Sequence, residues 1–198
     1  MPYITTDEIS AEAQSGAVVS TANYALYNAV ALAVTEAIDQ FCARTFTVPT
    51  TATARVYKPN RTCTEVDDLD DIASTAGLAV ATDTNETGVY TALASTGWVA
   101  ETDNRTGMVK VIRSTAGYFP YSAVRPRSVE VTARWGWPAT PERVKRAAML
   151  WALRLVDRRQ TPSGIMGFGE FGGIRLGTID PDVKSLLAPY RAAGRWLR

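Results

Sequence analysis

The sequence predicts an α+β fold in which a helical core carries an inserted antiparallel β lobe. Three observations predict it: an Ala-rich segment with helical spacing near the N-terminus, a Thr- and Gly-rich middle with short alternating runs between turn signals, and a second helical segment opened by a proline. Helices therefore stand at both ends of the chain and strands lie between them. We expect residues 1–48 and 136–198 to form the helical core, with a C-terminal arm, and residues 49–135 to form the lobe.

The charge of the chain is divided unevenly along its length. The chain of 198 residues is long enough to form one hydrophobic core of ordinary size. Its net charge is +1. Residues 1–124 hold 7 Lys and Arg against 14 Asp and Glu, whereas residues 125–198 hold 14 against 6. Such a polarised chain suits partners of different charge at two ends.

Residue usage argues against an enzyme. Histidine, the commonest general base, is absent, which lowers the weight of most catalytic hypotheses. The chain has only two cysteines, Cys42 in a predicted helix and Cys63 in a loop, too few for a disulfide framework or a zinc site. We expect two free thiols, no catalytic residue, no metal and no cofactor.

The sequence predicts neither a membrane span nor an N-terminal signal peptide. No stretch reaches the ~18 continuous apolar residues of a membrane span, and MPYITTDEIS lacks the basic-then-apolar build of a signal peptide. A soluble, cytoplasmic protein is expected.

The first two helices follow from caps and spacing. Thr5 or Thr6 caps a short acidic helix, a minor element that Gly16 ends. From Ser20 to Arg44, apolar residues recur at helical spacing and leave little polar surface, so this long helix is expected to be covered on more than one side.

The middle of the chain consists of short strands. Candidate strands are 53–58, 77–82, 88–93, 97–102 and 107–112, and Val129–Trp135 is the strand that returns to the core, ending at Gly136. The acidic run Glu65–Asp71 could supply oxygen ligands to Ca²⁺ or Mg²⁺, but it lacks the spacing of a calcium loop. We interpret it as a solvated edge of the lobe.

The second long helix opens with Thr140 as cap and Pro141 at its first position, and it runs to about Arg159. Its centre is apolar on every side, which a lone surface helix does not tolerate. One face, with either Trp151 and Val144 or Met149 and Leu153, should pack internally, and the other should meet a neighbouring subunit.

Basic residues on this helix could contact DNA. Their spacing is unfavourable, and no base-stacking aromatic residues accompany them, so we favour a solvated or subunit-facing rim. The basic residues in question are Arg143, Lys145, Arg146, Arg154, Arg158 and Arg159.

The C-terminal region combines an apolar loop with a short helix. The sequence GFGEFGG at 167–173 matches neither phosphate-binding glycine motif. Its large apolar neighbours would form an exposed patch, which predicts a partner surface. Asp180 then caps a helix opened by Pro181, and the tail RAAGRWLR is basic.

Several of these segments together resemble one known family. The helix end AIDQFCARTF, the run ARWGWP before the helix-opening proline, TPSG, GFGEFGG and DPDVKSLLAPYR resemble the head-to-tail adaptor (head completion, connector) proteins of long-tailed bacteriophages. The resemblance spans most of the chain and is densest from Val129 to Arg191. It implies no catalysis.

The resemblance further implies a ring of twelve copies below the portal of a DNA-filled capsid, found in the virion and assembled in the host cytoplasm. The ring would extend the DNA channel, pass genomic DNA without sequence-specific binding, and dock the next connector protein, the stopper. No membrane is involved. Three alternatives stay open: a stopper or tail terminator, a DNA-binding module, and a carboxylate-dependent hydrolase.

Two sets of contact residues follow from the patterns and the resemblance. The predicted subunit interface comprises Leu26, Val30, Ala33, Met149, Leu150, Trp151 and Leu153. The predicted portal-contacting loop and arm comprise Ile165, Met166, Phe168, Phe171, Ile174, Arg191, Arg195 and Trp196.

Overall fold

A computed structural model describes residues 2–14, 21–160, 165–166, 174–175 and 179–192. The chain divides into two compact units, Met1–Arg44 with Thr140–Arg198, and Thr45–Ala139. The first is built from helices and the second from antiparallel sheets. The predicted α+β class, a helical core with an antiparallel β lobe, is confirmed.

The helical unit contains α1 (Thr6–Gln14), α2 (Thr21–Cys42), α3 (Glu142–Gln160) and α4 (Pro181–Leu187). Helix α3 packs against the other three helices. Its fully buried residues are short, and short side chains allow neighbouring helices to approach closely. They are Val144, Ala147, Ala148 and Ala152.

The buried Val144 decides between the two faces of α3 that the sequence left open: the face with Val144 and Trp151 packs internally, Trp151 being half-buried. The helix begins beside Pro141, whose carbonyl accepts hydrogen bonds from the N–H groups of Val144 and Lys145 at 2.9 and 3.1 Å. Because proline has no backbone N–H, its place at the start of the helix leaves no hydrogen-bond donor unpaired.

Helix α1 is more than the minor element that its length suggested. Thr5 and Glu8 form a reciprocal capping box: Thr5 Oγ1 accepts from the Glu8 N–H at 3.2 Å, and Glu8 Oε2 accepts from the Thr5 N–H at 2.6 Å. Ile9 is fully buried, and the Tyr3 N–H donates to Thr35 Oγ1 of α2 at 3.1 Å. These contacts anchor the N-terminal segment to α2.

The lobe contains β1 (Thr53–Tyr57), β2 (Glu65–Val66), β3 (Ala79–Thr82), β4 (Thr91–Ala92), β5 (Trp98–Thr102), β6 (Val109–Ser114) and β7 (Val129–Ala133). They form one sheet in the order β1-β7-β3-β4 and another in the order β2-β6-β5. Outside both sheets, β8 (Ile165–Met166) pairs antiparallel with β9 (Ile174–Arg175).

The core of the lobe lies between the two sheets. Along β7, Val129, Val131 and Ala133 are buried while the residues between them are half-buried, as the alternation predicts. Ile72 forms isolated bridges to Val109 and to Trp135, so it connects both sheets at the centre of the core.

The acidic run Glu65–Asp71 is not the solvated edge that its composition predicts. It contains β2, and Val66 and Leu69 are buried in the core. Asp70 accepts from Tyr57 Oη at 2.7 Å. Asp71 accepts from Trp137 Nε1 at 3.1 Å. Two residues of the run, three positions apart, therefore point inward, and only Asp67 and Asp68 are exposed.

Candidate assembly surfaces

Helix α2 presents an exposed face that carries no charge before Glu36. Tyr24 and Leu32 are each 51% exposed. Ala25, Ala29 and Ala33, spaced by four residues, are exposed on the same side of the helix. The first charged residue of α2 is Glu36, one turn beyond Leu32. We call the exposed residues Tyr24, Ala25, Asn28, Ala29, Leu32, Ala33 and Glu36 the α2 face.

The three predicted interface residues of α2 lie on this face or at its margin. Ala33 belongs to the α2 face, and Leu26 and Val30 are half-buried beside it. The four on α3, Met149, Leu150, Trp151 and Leu153, are all half-buried. Sequence reasoning missed Tyr24 and Leu32 as the large exposed residues of α2, because a helix that is apolar all round does not indicate which side faces outward.

A second exposed apolar cluster lies on the β lobe. Val124 is 82% exposed, Tyr118 72% and Val89 70%, and Tyr121 is half exposed. These four residues, which we call the lobe patch, come from the loop before β7 and from the turn before β4. Sequence reasoning missed them all, although the run YFPYSAV at 118–124 does carry large apolar residues outside any strand pattern.

Hydrogen bonds and one buried anchor hold the loop of the lobe patch in place. Phe119 is buried in the core of the lobe. The carbonyl of the adjacent Tyr118 accepts a hydrogen bond from Ser114 Oγ at 3.1 Å. At the other end, the Arg127 carbonyl accepts from Tyr90 Oη at 2.8 Å. The exposed side chains therefore stand on an ordered backbone.

Cations surround the lobe patch. Lys58 Nζ lies 5.6 Å from the ring centroid of Tyr121. The Arg125 guanidinium lies against Gly88, where an added Cβ would come within 2.6 Å of Nη1. No Asp or Glu occurs from Asn104 to Val129, whereas the turn that carries Val89 holds one exposed carboxylate, Glu86. In the described part of the chain, Lys58, Arg125 and Arg127 form no ion pair.

Three of the four basic residues of α3 whose side chains are described form ion pairs. Arg146 pairs with Glu12 at 3.2 Å, Lys145 pairs with Glu142 at 2.9 Å, and Arg154 pairs with Asp180. Because carboxylates already neutralise these three cations, they offer little charge to a phosphate backbone. The pairing fits a solvated rim.

Only part of the predicted portal-contacting set lies in the described residues. Ile165, Met166 and Ile174 fall in the β8–β9 pair, where Met166 is opposite Ile174. Arg191 places its guanidinium 5.1 Å from the ring centroid of Phe41. The remaining residues, Phe168, Phe171, Arg195 and Trp196, lie outside the described residues.

Both cysteines are free thiols, as predicted. Burial raises the pKa of the Cys42 thiol to about 11, so it stays protonated at neutral pH. Cys63 is half-buried in a loop. Among the described residues, no group of His, Cys, Asp and Glu is arranged to hold a metal ion. No helix within them has both the length and the hydrophobicity that crossing a membrane requires.

Comparison with known proteins gives a fold but no sequence relative. No protein-family model and no curated protein matches the chain. A chain from the neck of an empty GTA particle, computed with C6 symmetry, superposes with a TM-score of 0.60 at 17% identity, covering 96% of this chain and 90% of that one.

Two further structures share this fold. A chain from the virion of a native gene transfer agent (GTA) particle has a TM-score of 0.58 at 18% identity, covering 96% of this chain and 90% of that one. A chain from the neck of a native GTA particle, computed with C12 symmetry, has a TM-score of 0.53 at 15% identity, covering 85% and 82%. At these identities the likeness shows a common fold.

Proposed function

We propose that this chain is a structural protein of a virion neck: a head-to-tail adaptor that forms a homo-oligomeric ring below the portal and docks the stopper. The α2 face is the observation that carries the proposal. It exposes two large apolar side chains on a helix with no charge from Thr21 to Thr35. Such a face is stabilised when a partner removes it from water.

The fold likeness supports a ring in particular. Two of the similar chains come from necks computed with C6 and C12 symmetry, and a ring of twelve copies fits the second. In a ring, one neighbour covers the α2 face of each subunit, so every copy buries the same apolar surface. The half-buried residues at its margin, such as Leu26 and Val30, extend that interface.

The remaining parts of the proposal concern partners and chemistry. Genomic DNA passes through the lumen without sequence-specific binding, which is consistent with the neutralised cations of α3. The loop at 165–174 and the basic tail contact the portal. The protein performs no catalysis and binds no cofactor, and it belongs to the virion after assembly in the host cytoplasm.

Substitution of Leu32 by Asp tests the ring. Because Leu32 is half exposed, the variant should fold like the wild type, but a buried unpaired carboxylate at the interface should abolish assembly. Sedimentation velocity of the chain, alone and with purified portal, measures this. Val99→Asp is the matched control, since Val99 on β5 has the same 51% exposure.

The wild-type chain and the Val99→Asp chain should both assemble into rings. The Leu32→Asp chain should fold but remain monomeric. Circular dichroism checks the fold of each. A wild-type chain that remains monomeric with portal present would contradict the proposal, as would a Leu32→Asp chain that assembles normally. Binding to an isolated tail but not to the portal would indicate a tail terminator instead.

A further inference from the structure

The two exposed apolar clusters are chemically complementary. We propose that the lobe patch of one copy docks on the α2 face of the next copy. This inference rests on the proposed ring and identifies the two surfaces that make its repeating contact.

Symmetry requires two different surfaces. A ring of more than two copies is built from heterologous contacts, in which one patch of each subunit meets a different patch of its neighbour. In the described part of the chain, large exposed apolar residues cluster in two places, the α2 face and the lobe patch. The others, Val56 and Val99, belong to two different strands, β1 and β5.

The shapes of the two surfaces fit each other. The lobe patch projects Tyr118, Tyr121 and Val124 from an ordered loop. The α2 face offers Ala25, Ala29 and Ala33 in a row, where the short side chains leave a shallow groove alongside Leu32. Tyrosines that enter such a groove bury large areas at little conformational cost, because the loop is already fixed.

The charges of the two surfaces are opposite. Lys58 and Arg125 lie beside the lobe patch, and Arg127 is exposed two residues beyond Arg125. None of these three cations has an ion pair within the described residues, and they outnumber Glu86, the exposed carboxylate on the turn that carries Val89. The α2 face carries no cation and ends at the exposed carboxylate of Glu36. Opposite charges at the rim of an apolar contact favour association and fix its register.

Nucleic acid is a poorer occupant of the lobe patch. Aromatic side chains and cations can bind single strands by stacking and phosphate contact. Two of the four residues, Val89 and Val124, are aliphatic and are the first and third most exposed. They cannot stack on a base, whereas they gain from contact with Leu32 and the alanines of α2.

Site-directed cross-linking tests the inference. In a Cys63→Ser background, one chain carries Val124→Cys and a second carries Leu32→Cys; the two are mixed, allowed to assemble, and treated with a short bismaleimide. Because burial keeps the Cys42 thiol protonated and inaccessible, it should not react. The expected product is a cross-linked dimer that needs both chains.

The control mixture pairs Val124→Cys with Val99→Cys, which the proposal places apart. Adding Arg125→Glu and Arg127→Glu to the Val124→Cys chain should reduce the cross-linked dimer about tenfold, which corresponds to about 1.4 kcal/mol. Duplex and single-stranded DNA are tested by salt-dependent gel shift with the wild-type chain and with the two charge substitutions.

The outcomes separate this inference from the proposed function. A ring that sediments normally but gives no 124–32 product, or equal product in the control mixture, overturns the inference and leaves the adaptor proposal intact. Tight DNA binding that the two charge substitutions abolish, with assembly unchanged, also overturns it. A chain that never assembles defeats the proposed function itself.

Discussion

At the scale of single residues, the backbone at position 136 accepts only glycine. Gly136 has φ +135°, a conformation that residues with a side chain rarely adopt, and an added Cβ would lie 2.0 Å from the Thr47 carbonyl oxygen. Trp137 follows directly and packs its ring 5.3 Å from that of Phe46. This close approach fixes where the chain leaves the lobe after β7.

Gly136→Ala should therefore lower the free energy of unfolding by at least about 3 kcal/mol, since it adds both a strained φ and a clash with backbone. Gly77→Ala is the matched control: its φ is +74°, but nothing lies within 4 Å of an added Cβ. That variant should lose only about 1–2 kcal/mol. Urea unfolding followed by tryptophan fluorescence measures both, and equal losses would contradict the argument.

At the scale of secondary structure, local signals place helix ends well. The predicted cap of the last helix is confirmed: Asp180 Oδ1 accepts from the Asp182 N–H at 2.6 Å, and Pro181 opens α4. Asp180 is buried and also pairs with Arg154 of α3. One carboxylate therefore begins α4 and joins it to α3.

Asp180→Ala should destabilise the protein by about 1–2 kcal/mol, because the N–H of Asp182 loses its acceptor and Arg154 loses its partner. Asp182→Ala, an exposed first-turn carboxylate on the same helix, should cost no more than about 0.5 kcal/mol. Thermal and urea unfolding compare the two. The cap is unimportant if both variants unfold like the wild type.

At the scale of the whole molecule, the basic C-terminus is tied to the helical unit at a definite residue. The Ala192 N–H donates to the Cys42 carbonyl at 2.9 Å, and Ala192 is buried. Arg191 lies over Phe41. The residues beyond, with Arg195 and Trp196, are those that we propose to contact the portal.

Two truncations separate folding from docking. A chain that ends at Ala192 should keep wild-type stability yet fail to bind portal, since it retains the contact with Cys42 but loses Arg195 and Trp196. A chain that ends at Tyr190 should in addition lose about 1 kcal/mol, because the Cys42 carbonyl loses its donor. Urea unfolding and cosedimentation with portal are the two measurements. Undiminished portal binding by the shorter chains would refute the proposed role of the tail.

The sequence shows how charge is distributed along the chain, and the folded structure shows which charges are paired. The excess of carboxylates before residue 125 and of cations after it is visible in the sequence. Folding then pairs part of that charge, as in Arg146 with Glu12, and leaves Arg125 and Arg127 without a carboxylate partner among the described residues. Only the cations that remain unpaired are available to a neighbour.

The sequence alone determined the α+β class, the start of the last helix and most of the strands. Those features depend on signals within a few residues, such as the Asp180 cap with Pro181 and the alternation of β7. The sequence wrongly predicted that the acidic run Glu65–Asp71 is solvated. Its two buried residues, Val66 and Leu69, are too few to form a recognisable hydrophobic pattern among the carboxylates.

Only the tertiary structure decided which surfaces stay exposed. The α2 sequence is apolar on most sides, so its pattern could not select Tyr24 and Leu32 as the outward side; the packing of α1 and α3 did. The lobe patch depends on hydrogen bonds between distant segments, such as Tyr90 to Arg127. The exposure of a side chain is set by contacts between residues far apart in the chain, so only the tertiary structure shows it. Helix caps and hydrophobic periodicity are set by residues close together in the chain, so the sequence alone shows them.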